Sequence, residues 1–299
     1  MLRKVFKWTG IVVGALVGLS AVLVIVLYFM GNARLTKAYS IQPEAVTIHM
    51  DAAAIQRGKQ WASSVGCTGC HAENLSGKPL IDDPTLGYIP APNLTPGEGG
   101  AGSEFNDADW VRALRHGVDP EGRALLVMPS GDYYYMSDQD LSDLIAYLKS
   151  LPPVDHDMGE MRLPFMTKVF FAAGAFGAEA MTAESINHTA PRPSVVQAGA
   201  TVEYGLYLVQ IAGCRSCHGK ELAGATGANG AIGGAYGTNL TPGGGFAAWS
   251  QEAFITAMQT NQSRSKGMPW GDFAGMTDDQ LKAIFKYLQS QPALENAVK

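Results

Sequence analysis

Two short stretches decide the fold, CTGCH at 67–71 and CRSCH at 214–218, because they hold all four cysteines of the chain in a repeated context. In both copies a glycine lies nine positions before the first cysteine. Asn-Leu-Thr-Pro follows each motif, at 93–96 and at 239–242. Features that recur in the same order indicate duplication of one structural unit.

A Cys-x-x-Cys-His motif is the attachment signature of c-type haem. The two thiols of each motif can add to the two vinyl groups on one edge of the porphyrin, and the histidine then presents its imidazole to the iron. The residues concerned are Cys67, Cys70, His71, Cys214, Cys217 and His218. The alternatives are a zinc site and a redox-active disulfide. Zinc usually takes two separated ligand pairs, and a thioredoxin-like motif needs a βαβ setting, so both fit less well.

Each unit is predicted to be helical. The segments DQDLSDLIAYLKSLP at 138–152 and DDQLKAIFKYLQSQP at 278–292 place apolar residues at i, i+3, i+4 and i+7 and end at a proline. The stretch SGKPLIDDPTLGYIPAPNLTPGEGG at 76–100 is rich in glycine and proline and has no strand period. An irregular loop is expected there.

With these features the chain resembles the class I cytochromes c. Those proteins place a helix before Cys-x-x-Cys-His, a methionine ligand in a later loop, and a final helix with an aromatic–leucine pair. The chain looks most like two-haem cytochromes with Asn-Leu-Thr-Pro and Met-Pro motifs, including the cytochrome subunits of periplasmic alcohol and sugar-acid dehydrogenases. The resemblance covers 51–155 and 200–295, about two thirds of the chain. Those dehydrogenase subunits typically carry three haems, whereas this chain has two motifs.

Two methionines lie eight positions apart in each later loop, MPSGDYYYM at 128–136 and MPWGDFAGM at 268–276. The second of each pair lies just before a predicted helix N-cap and is expected to staple onto that helix; Thr277 and Gln280 predict a capping box. The first precedes a proline and has no such structural role, and the resemblance indicates the same residue. The predicted distal iron ligands are therefore Met128 and Met268.

Histidine is the other common distal ligand, and His116 lies well inside the first unit. The second copy has no matching histidine, so His116 is expected to line the haem pocket or to lie on the surface. His/Met ligation raises the haem potential because the thioether favours ferrous iron. Six-coordinate iron also leaves no open position for a substrate. We therefore expect an electron-transfer protein with two covalently bound haem c groups, not an enzyme in itself.

Residues 11–30, IVVGALVGLSAVLVIVLYFM, are all apolar or small. A bilayer-spanning helix needs about 20 such residues, whereas the apolar core of a signal peptide has roughly 7–15. An uncleaved anchor is therefore expected. The positive-inside rule then leaves the N-terminus in the cytoplasm and the haem units on the periplasmic side. The cations that precede the apolar run are Arg3, Lys4 and Lys7.

The predicted organisation is all-α, with one transmembrane helix followed by two tandem class I cytochrome c domains. Its parts are a cytoplasmic tip at 1–9, an anchor at 10–31, a linker at 32–50, the first domain at 51–155, an interdomain linker at 156–199 and the second domain at 200–299. Within the interdomain linker, 161–181 is strongly apolar but short for a second span. A helix packed between the domains or on the membrane surface is expected there, and a docking helix for a partner subunit is the alternative.

The expected function is electron transport at the bacterial inner membrane, from a dehydrogenase or quinol-oxidising complex toward a terminal oxidase or another acceptor. One alternative is a tightly bound cytochrome subunit of such a complex; packing of a partner helix on Gly10, Gly14 and Gly18 would suit it. A two-haem peroxidase needs a displaceable distal ligand, which two matched methionine loops disfavour. The net charge of −5 disfavours nucleic acid as a partner.

Overall fold

The computed structural model describes residues 2–225, 237–260 and 268–296. Helices dominate this part of the chain. The α-helices are α1 (Leu2–Leu35), α2 (Ala52–Ser64), α3 (Cys67–His71), α4 (Ala101–Glu104), α5 (Asp107–His116), α6 (Ser130–Tyr133), α7 (Asp138–Lys149), α8 (Phe165–Ala172), α9 (Val202–Ile211), α10 (Cys214–His218), α11 (Gln251–Thr260) and α12 (Asp278–Gln289). Shorter 3₁₀ helices cover Ala178–Glu184, Gly245–Ala248 and Trp270–Phe273, and two strands, β1 (Lys78–Asp83) and β2 (Gly87–Ala91), form a hairpin.

Helix α1 projects from the rest of the protein. Among the described residues, Arg3–Leu35 is the one helical stretch long and apolar enough to cross a membrane. Its large apolar side chains are exposed along most of its length, from Val5 to Met30. Exposing so large an apolar surface to water is unfavourable, so such a helix is expected to be surrounded by lipid or by another protein.

Both haem units are built on a crossing of their first and last helices. Helix α2 packs on α7, and α9 packs on α12. A side chain at Gly58 would lie 1.8 Å from the carbonyl oxygen of Asp143, and one at Gly205 would lie 2.1 Å from that of Ala283. The two backbones therefore touch at each crossing, and only glycine leaves room for it.

The two units share one hydrophobic core. Buried residues of both units form a single cluster. At its centre the rings of Trp61 and Tyr207 meet edge to face, with centroids 6.4 Å apart. Edge-to-face contact is a favoured aromatic geometry, so this pair helps to fix the position of one unit on the other.

The expectation of an irregular loop over 76–100 is wrong for part of that stretch. Strands β1 and β2 pair antiparallel there, with Ile81 opposite Ile89. The hairpin receives a third neighbour from far along the chain, because the backbones of Tyr88 and Arg162 hydrogen-bond to each other in both directions. A short hairpin is marginal alone, so this distant partner decides the local structure. The predicted all-α class holds for the chain as a whole, which is mostly helical, with this hairpin as a local addition.

The apolar stretch 161–181 forms α8 and the 3₁₀ helix at Ala178–Glu184. Helix α8 packs on the C-terminal end of α1, where Phe165 stacks on Tyr28 with ring centroids 4.6 Å apart. On its other side Thr167 donates its hydroxyl to the carbonyl of Leu86 in the hairpin. The described contacts therefore place α8 between the apolar helix and the first unit, and the prediction of packing between the two haem units is wrong.

Candidate functional site

Each Cys-x-x-Cys-His motif forms one short helix, α3 or α10. A glycine in the left-handed conformation precedes each of them, Gly66 with φ 79° and Gly213 with φ 66°. Glycine adopts this conformation at little cost, so the chain can turn sharply from the preceding helix into the motif. On a helix, residues three and four apart are neighbours, so the two cysteines and the histidine of each motif lie close together.

The two motif histidines have matching environments. His71 is 6% exposed and His218 is 7% exposed. The Nδ1 of His71 lies 2.8 Å from the carbonyl oxygen of Pro92, and that of His218 lies 2.7 Å from that of Thr238. A carbonyl only accepts, so Nδ1 carries the proton and Nε2 keeps its lone pair. Burial lowers the pKa of both imidazoles. Both rings are therefore neutral and ready to bind a metal through Nε2.

The Asn-Leu-Thr-Pro motif directly follows the carbonyl that orients each histidine. Asn93 accepts from the amide of Thr95 and donates to the carbonyl of Val154 at 2.7 Å. Asn239 makes the same kind of contact to the carbonyl of Leu294 at 2.9 Å. Each asparagine thus ties the loop below its histidine to the chain just beyond the last helix of its own unit. The recurrence of the motif was visible in the sequence, but this bond was not.

A second recurring feature escaped sequence reasoning. Leu75 and Leu222 are fully buried, and both have a φ of 60°. A leucine in this region is strained, which costs about 1–3 kcal/mol, so it persists only where the surroundings enforce it. In both copies the carbonyl of this leucine accepts from the second residue of Asn-Leu-Thr-Pro at 2.8 Å. A leucine in a sequence does not by itself indicate a positive φ. The one available signal was that Leu75 and Leu222 lie at the same distance from their motifs.

The four cysteines form no disulfide, and all of them lie in the described part of the chain. Burial raises the pKa of Cys67 and of Cys214 to about 12. Within residues 2–225, 237–260 and 268–296 there is no group of three or more histidine, cysteine or acidic side chains that could hold a metal ion.

The methionines of each loop differ in burial. Met136 is fully buried and Met276 is 3% exposed, within the shared core. Met128 and Met268 are only partly buried and pack at the edge of that core. The carbonyl of Met128 accepts from the hydroxyl of Thr182 at 3.0 Å, so the interdomain linker supports the first loop. The segment that leads into the second loop, 261–267, lies outside the described residues.

The helices after the loops are capped as predicted in the second copy. Thr277 and Gln280 form a full capping box at the start of α12. Ser137 caps α7, but Asp140 does not complete a box. Its carboxylate instead accepts hydrogen bonds from the indole of Trp61 at 3.1 Å and from the hydroxyl of Tyr207 at 2.6 Å. Burial raises the pKa of Asp140. Asp140 therefore joins the two units instead of completing the cap of α7.

His116 lies in a buried polar cluster and is 2% exposed, so of its two expected places the surface is excluded. Its Nε2 lies 3.1 Å from Glu44 and its Nδ1 lies 2.9 Å from Nδ1 of His188. His188 in turn bonds the carbonyl of Ala183 through Nε2. Both ends of this chain only accept, and all four ring nitrogens have a hydrogen-bond partner. Burial lowers the pKa of His188.

Glu44 is the acidic centre of this cluster. It also forms ion pairs with Arg115, whose side chain is fully buried, and with Arg192. Burial alone would raise the pKa of Glu44, but hydrogen bonds from His116, its own backbone and Arg115 outweigh burial and hold that pKa far below its usual range. The cluster therefore fastens the segment before the first unit to the linker behind it. It leaves His116 occupied and unavailable as an iron ligand.

Each methionine loop lies against the motif of the other unit. Ser216, inside the second motif, donates to Asp132 of the first loop at 3.4 Å. Gln60, on the helix before the first motif, donates to the carbonyl of Gly275 in the second loop. Both methionine loops therefore contribute to the contact between the two units.

The donor set fits haem c. Each unit offers two thiols on one side of a short helix, a neutral imidazole with a fixed tautomer, and a thioether in a later loop. These are the groups that hold a covalently attached haem and its iron. Such a group, when bound, supplies one-electron redox chemistry.

Comparisons with known proteins agree with this geometry. A family model described as "Cytochrome c" matches residues 55–152. A second, described as "Cytochrome C oxidase, cbb3-type, subunit III", matches residues 200–288. The two matches cover one haem unit each.

Relatives match most of the chain at low identity. The fructose dehydrogenase cytochrome subunit of Gluconobacter japonicus is 26% identical, over 86% of this chain and 56% of that subunit. The cytochrome c subunit of alcohol dehydrogenase (quinone) from Komagataeibacter europaeus is 26% identical, over 83% of this chain and 58% of that subunit. A diheme cytochrome c-type protein of Cereibacter sphaeroides is 27% identical, over 80% of this chain and 86% of that protein. The chain therefore spans little more than half the length of these two dehydrogenase subunits.

Proposed function

We propose that this chain, a two-haem cytochrome with two cytochrome c domains, carries electrons along the outer face of a bacterial inner membrane. Helix α1 would anchor it there, with Arg3, Lys4 and Lys7 on the cytoplasmic side. Electrons would enter from a dehydrogenase or quinol-oxidising complex and leave toward a terminal oxidase or another acceptor. The single observation that carries the proposal is the duplicated site, in which a buried neutral histidine, two thiols and a Met-Pro loop recur in both domains.

The iron in each domain would have a histidine and a methionine as axial ligands. His71 and His218 are the proximal ligands in this proposal, and Met128 and Met268 are the distal ones. The different burial of the methionines supports this choice. Met136 and Met276 are buried in the core, whereas Met128 and Met268 lie partly buried at its edge. With both axial positions filled by protein, neither iron offers a site for peroxide, which argues against a peroxidase.

A second function has its own support. Relatives of this chain are cytochrome subunits of dehydrogenases, so a subunit bound permanently to a catalytic partner is the competing proposal. The diheme relative supports a two-haem organisation, because this chain covers 86% of it and little more than half of each dehydrogenase subunit. The two proposals share the same redox chemistry and differ in whether a partner stays bound.

Substitution of the methionines one at a time tests the ligands. Met128→Ala and Met268→Ala should each remove about half of the near-infrared absorption that reports methionine on ferric haem, since each domain contributes one such bond. The matched controls Met136→Ala and Met276→Ala should keep that absorption but lose about 2–5 kcal/mol of unfolding free energy, as buried residues do. Loss of the absorption in the controls, with its survival in the first pair, would reverse the assignment.

Purification from native membranes in a mild detergent separates carrier from subunit. A carrier should leave the membrane as a two-haem protein that other redox proteins reduce at salt-dependent rates, because transient partners are steered by charge. A stable catalytic subunit that co-purifies in equal amount would establish the competing proposal instead.

A further inference from the structure

Helix α8 carries apolar side chains that the described part of the protein covers only in part. Phe165, Met166 and Phe170 are 46%, 41% and 43% exposed, and Met161 just before them is 43% exposed. Lys168 is the one charged residue from 163 to 178. Exposed apolar side chains grouped in this way mark a surface that contacts another protein or a membrane.

The register of α8 on α1 sets its depth. Phe165 stacks on Tyr28, Lys168 donates to Asn32, and farther along Phe171 lies under the guanidinium of Arg34 at 4.8 Å. The two helices therefore run side by side in the same direction. The start of α8 lies level with Tyr28, inside the apolar part of α1 and before Arg34, the first charge after Lys7.

The contact between the two helices is close. A side chain at Gly31 would lie 2.1 Å from the carbonyl oxygen of Lys168. The residues of α1 that lose exposure at this end lie three or four positions apart, on one face of the helix. They are Val24, Leu27, Tyr28 and Gly31. The same turn of α1 leaves Phe29 64% and Met30 57% exposed. Whatever surrounds Phe29 and Met30 therefore also surrounds the start of α8.

We propose that the exposed face of α8 (Phe165, Met166 and Phe170) enters the outer leaflet of the membrane at the headgroup boundary. This rests on the proposed function, because it takes α1 as a membrane anchor. Lys168 fits this depth, since its stem lies along α1 while its ammonium reaches Asn32 and the ring of Tyr28. The apolar side chains would lie among lipid carbons, as in helices that lie at a membrane surface.

The consequence is a second point of membrane contact. The hydroxyl of Thr167 holds α8 to the turn of the hairpin, and Arg34 pairs with Glu184 beyond α8. A single helix followed by a linker would let the haem domains swivel. Contact through both α1 and α8 instead fixes which side of the first domain faces the membrane.

Spin labels on the full chain in phosphatidylcholine nanodiscs test the proposal. The four native cysteines are occupied by haem, so Met166→Cys or Phe170→Cys gives a single site for the label. Phe29→Cys in the anchor is the lipid control, and Leu206→Cys, at a position 47% exposed on α9, is the aqueous control. Labels at 166 and 170 should relax more with oxygen than with a polar nickel complex, as at 29, and 206 should show the reverse.

The outcomes separate this proposal from the function. If 166 and 170 behave like 206 while 29 remains in lipid, the α8 proposal is overturned and the anchor stands. If 166 and 170 are shielded from both reagents, protein covers the face, and the lipid proposal is again overturned. If 29 itself is aqueous, the anchor fails. Using two label positions on α8 guards against one variant that does not fold.

Discussion

Replacement of Gly58 by alanine sets two effects of opposite sign against each other. In an exposed helix the change would stabilise by about 1 kcal/mol, because alanine is the better helix former. At the crossing of α2 and α7, however, the new carbon would lie 1.8 Å from one backbone oxygen and 2.7 Å from the β-carbon of Tyr147. Overpacking typically costs about 1–3 kcal/mol, and backbone on both sides leaves no flexible end to yield. We take the upper value of the overpacking cost, about 3 kcal/mol, and subtract the gain of about 1 kcal/mol from helix propensity. The net loss of unfolding free energy is then about 2 kcal/mol.

That loss is measurable as a shift in melting temperature. Because the two domains share one core, they should unfold together, and for such a size about 1 kcal/mol lowers the midpoint by about 2–4 °C. Gly58→Ala should therefore melt about 4–8 °C lower in a calorimeter, at unchanged haem content per chain. Gly205→Ala should follow it. Gly245→Ala, where nothing lies within 4 Å, is the control and should be neutral or slightly stabilising. A Gly58→Ala protein as stable as this control would refute the backbone contact.

Three further substitutions test polar contacts by denaturant unfolding. Glu44→Gln should cost about 3 kcal/mol at neutral pH, because Arg115 loses a buried partner. The pKa of Glu44 is lowered by folding, so this stability is present above about pH 4.3 and disappears as the pH falls; a gap between wild type and variant that persists in acid would contradict it. Tyr207→Phe should cost about 1.5–3 kcal/mol through the bond to Asp140. Asn93→Ala should cost about 2 kcal/mol while leaving the haem attached; a neutral result would deny its tie to the end of the domain.

The sequence was most informative where chemistry demands a fixed spacing. Cysteines three apart and an adjacent histidine have few other uses, so the cofactor could be predicted from ten residues. The duplication then separated shared features from accidental ones. The capping-box rule placed the N-cap at Thr277, and the structure confirms it. A local rule sufficed there because a cap depends on neighbours within one turn of helix, whereas the choice of Met128 and Met268 as ligands stays a prediction.

Features that depend on distant partners could not be predicted. The hairpin at 78–91 exists because Arg162 pairs with Tyr88 from beyond the domain. His116 is buried because Glu44 and His188 come from segments before and after it, 72 positions away on either side. Asp140 does not complete a capping box on α7, because its carboxylate binds the hydroxyl of Tyr207 from the other copy. In each case the deciding contact comes from a residue far away in the sequence, which periodicity within a short segment does not indicate.

The interface between the two copies holds their haem sites next to each other. Two domains joined by a flexible linker would exchange electrons only at chance encounters. Here Asp132 in the first loop touches Ser216 in the second motif, and Gly275 in the second loop touches Gln60 on the helix before the first motif. A shared core and the carboxylate of Asp140 hold that arrangement. The two haem sites therefore lie in domains that share one packed core, and a change at either interface contact should disturb both domains.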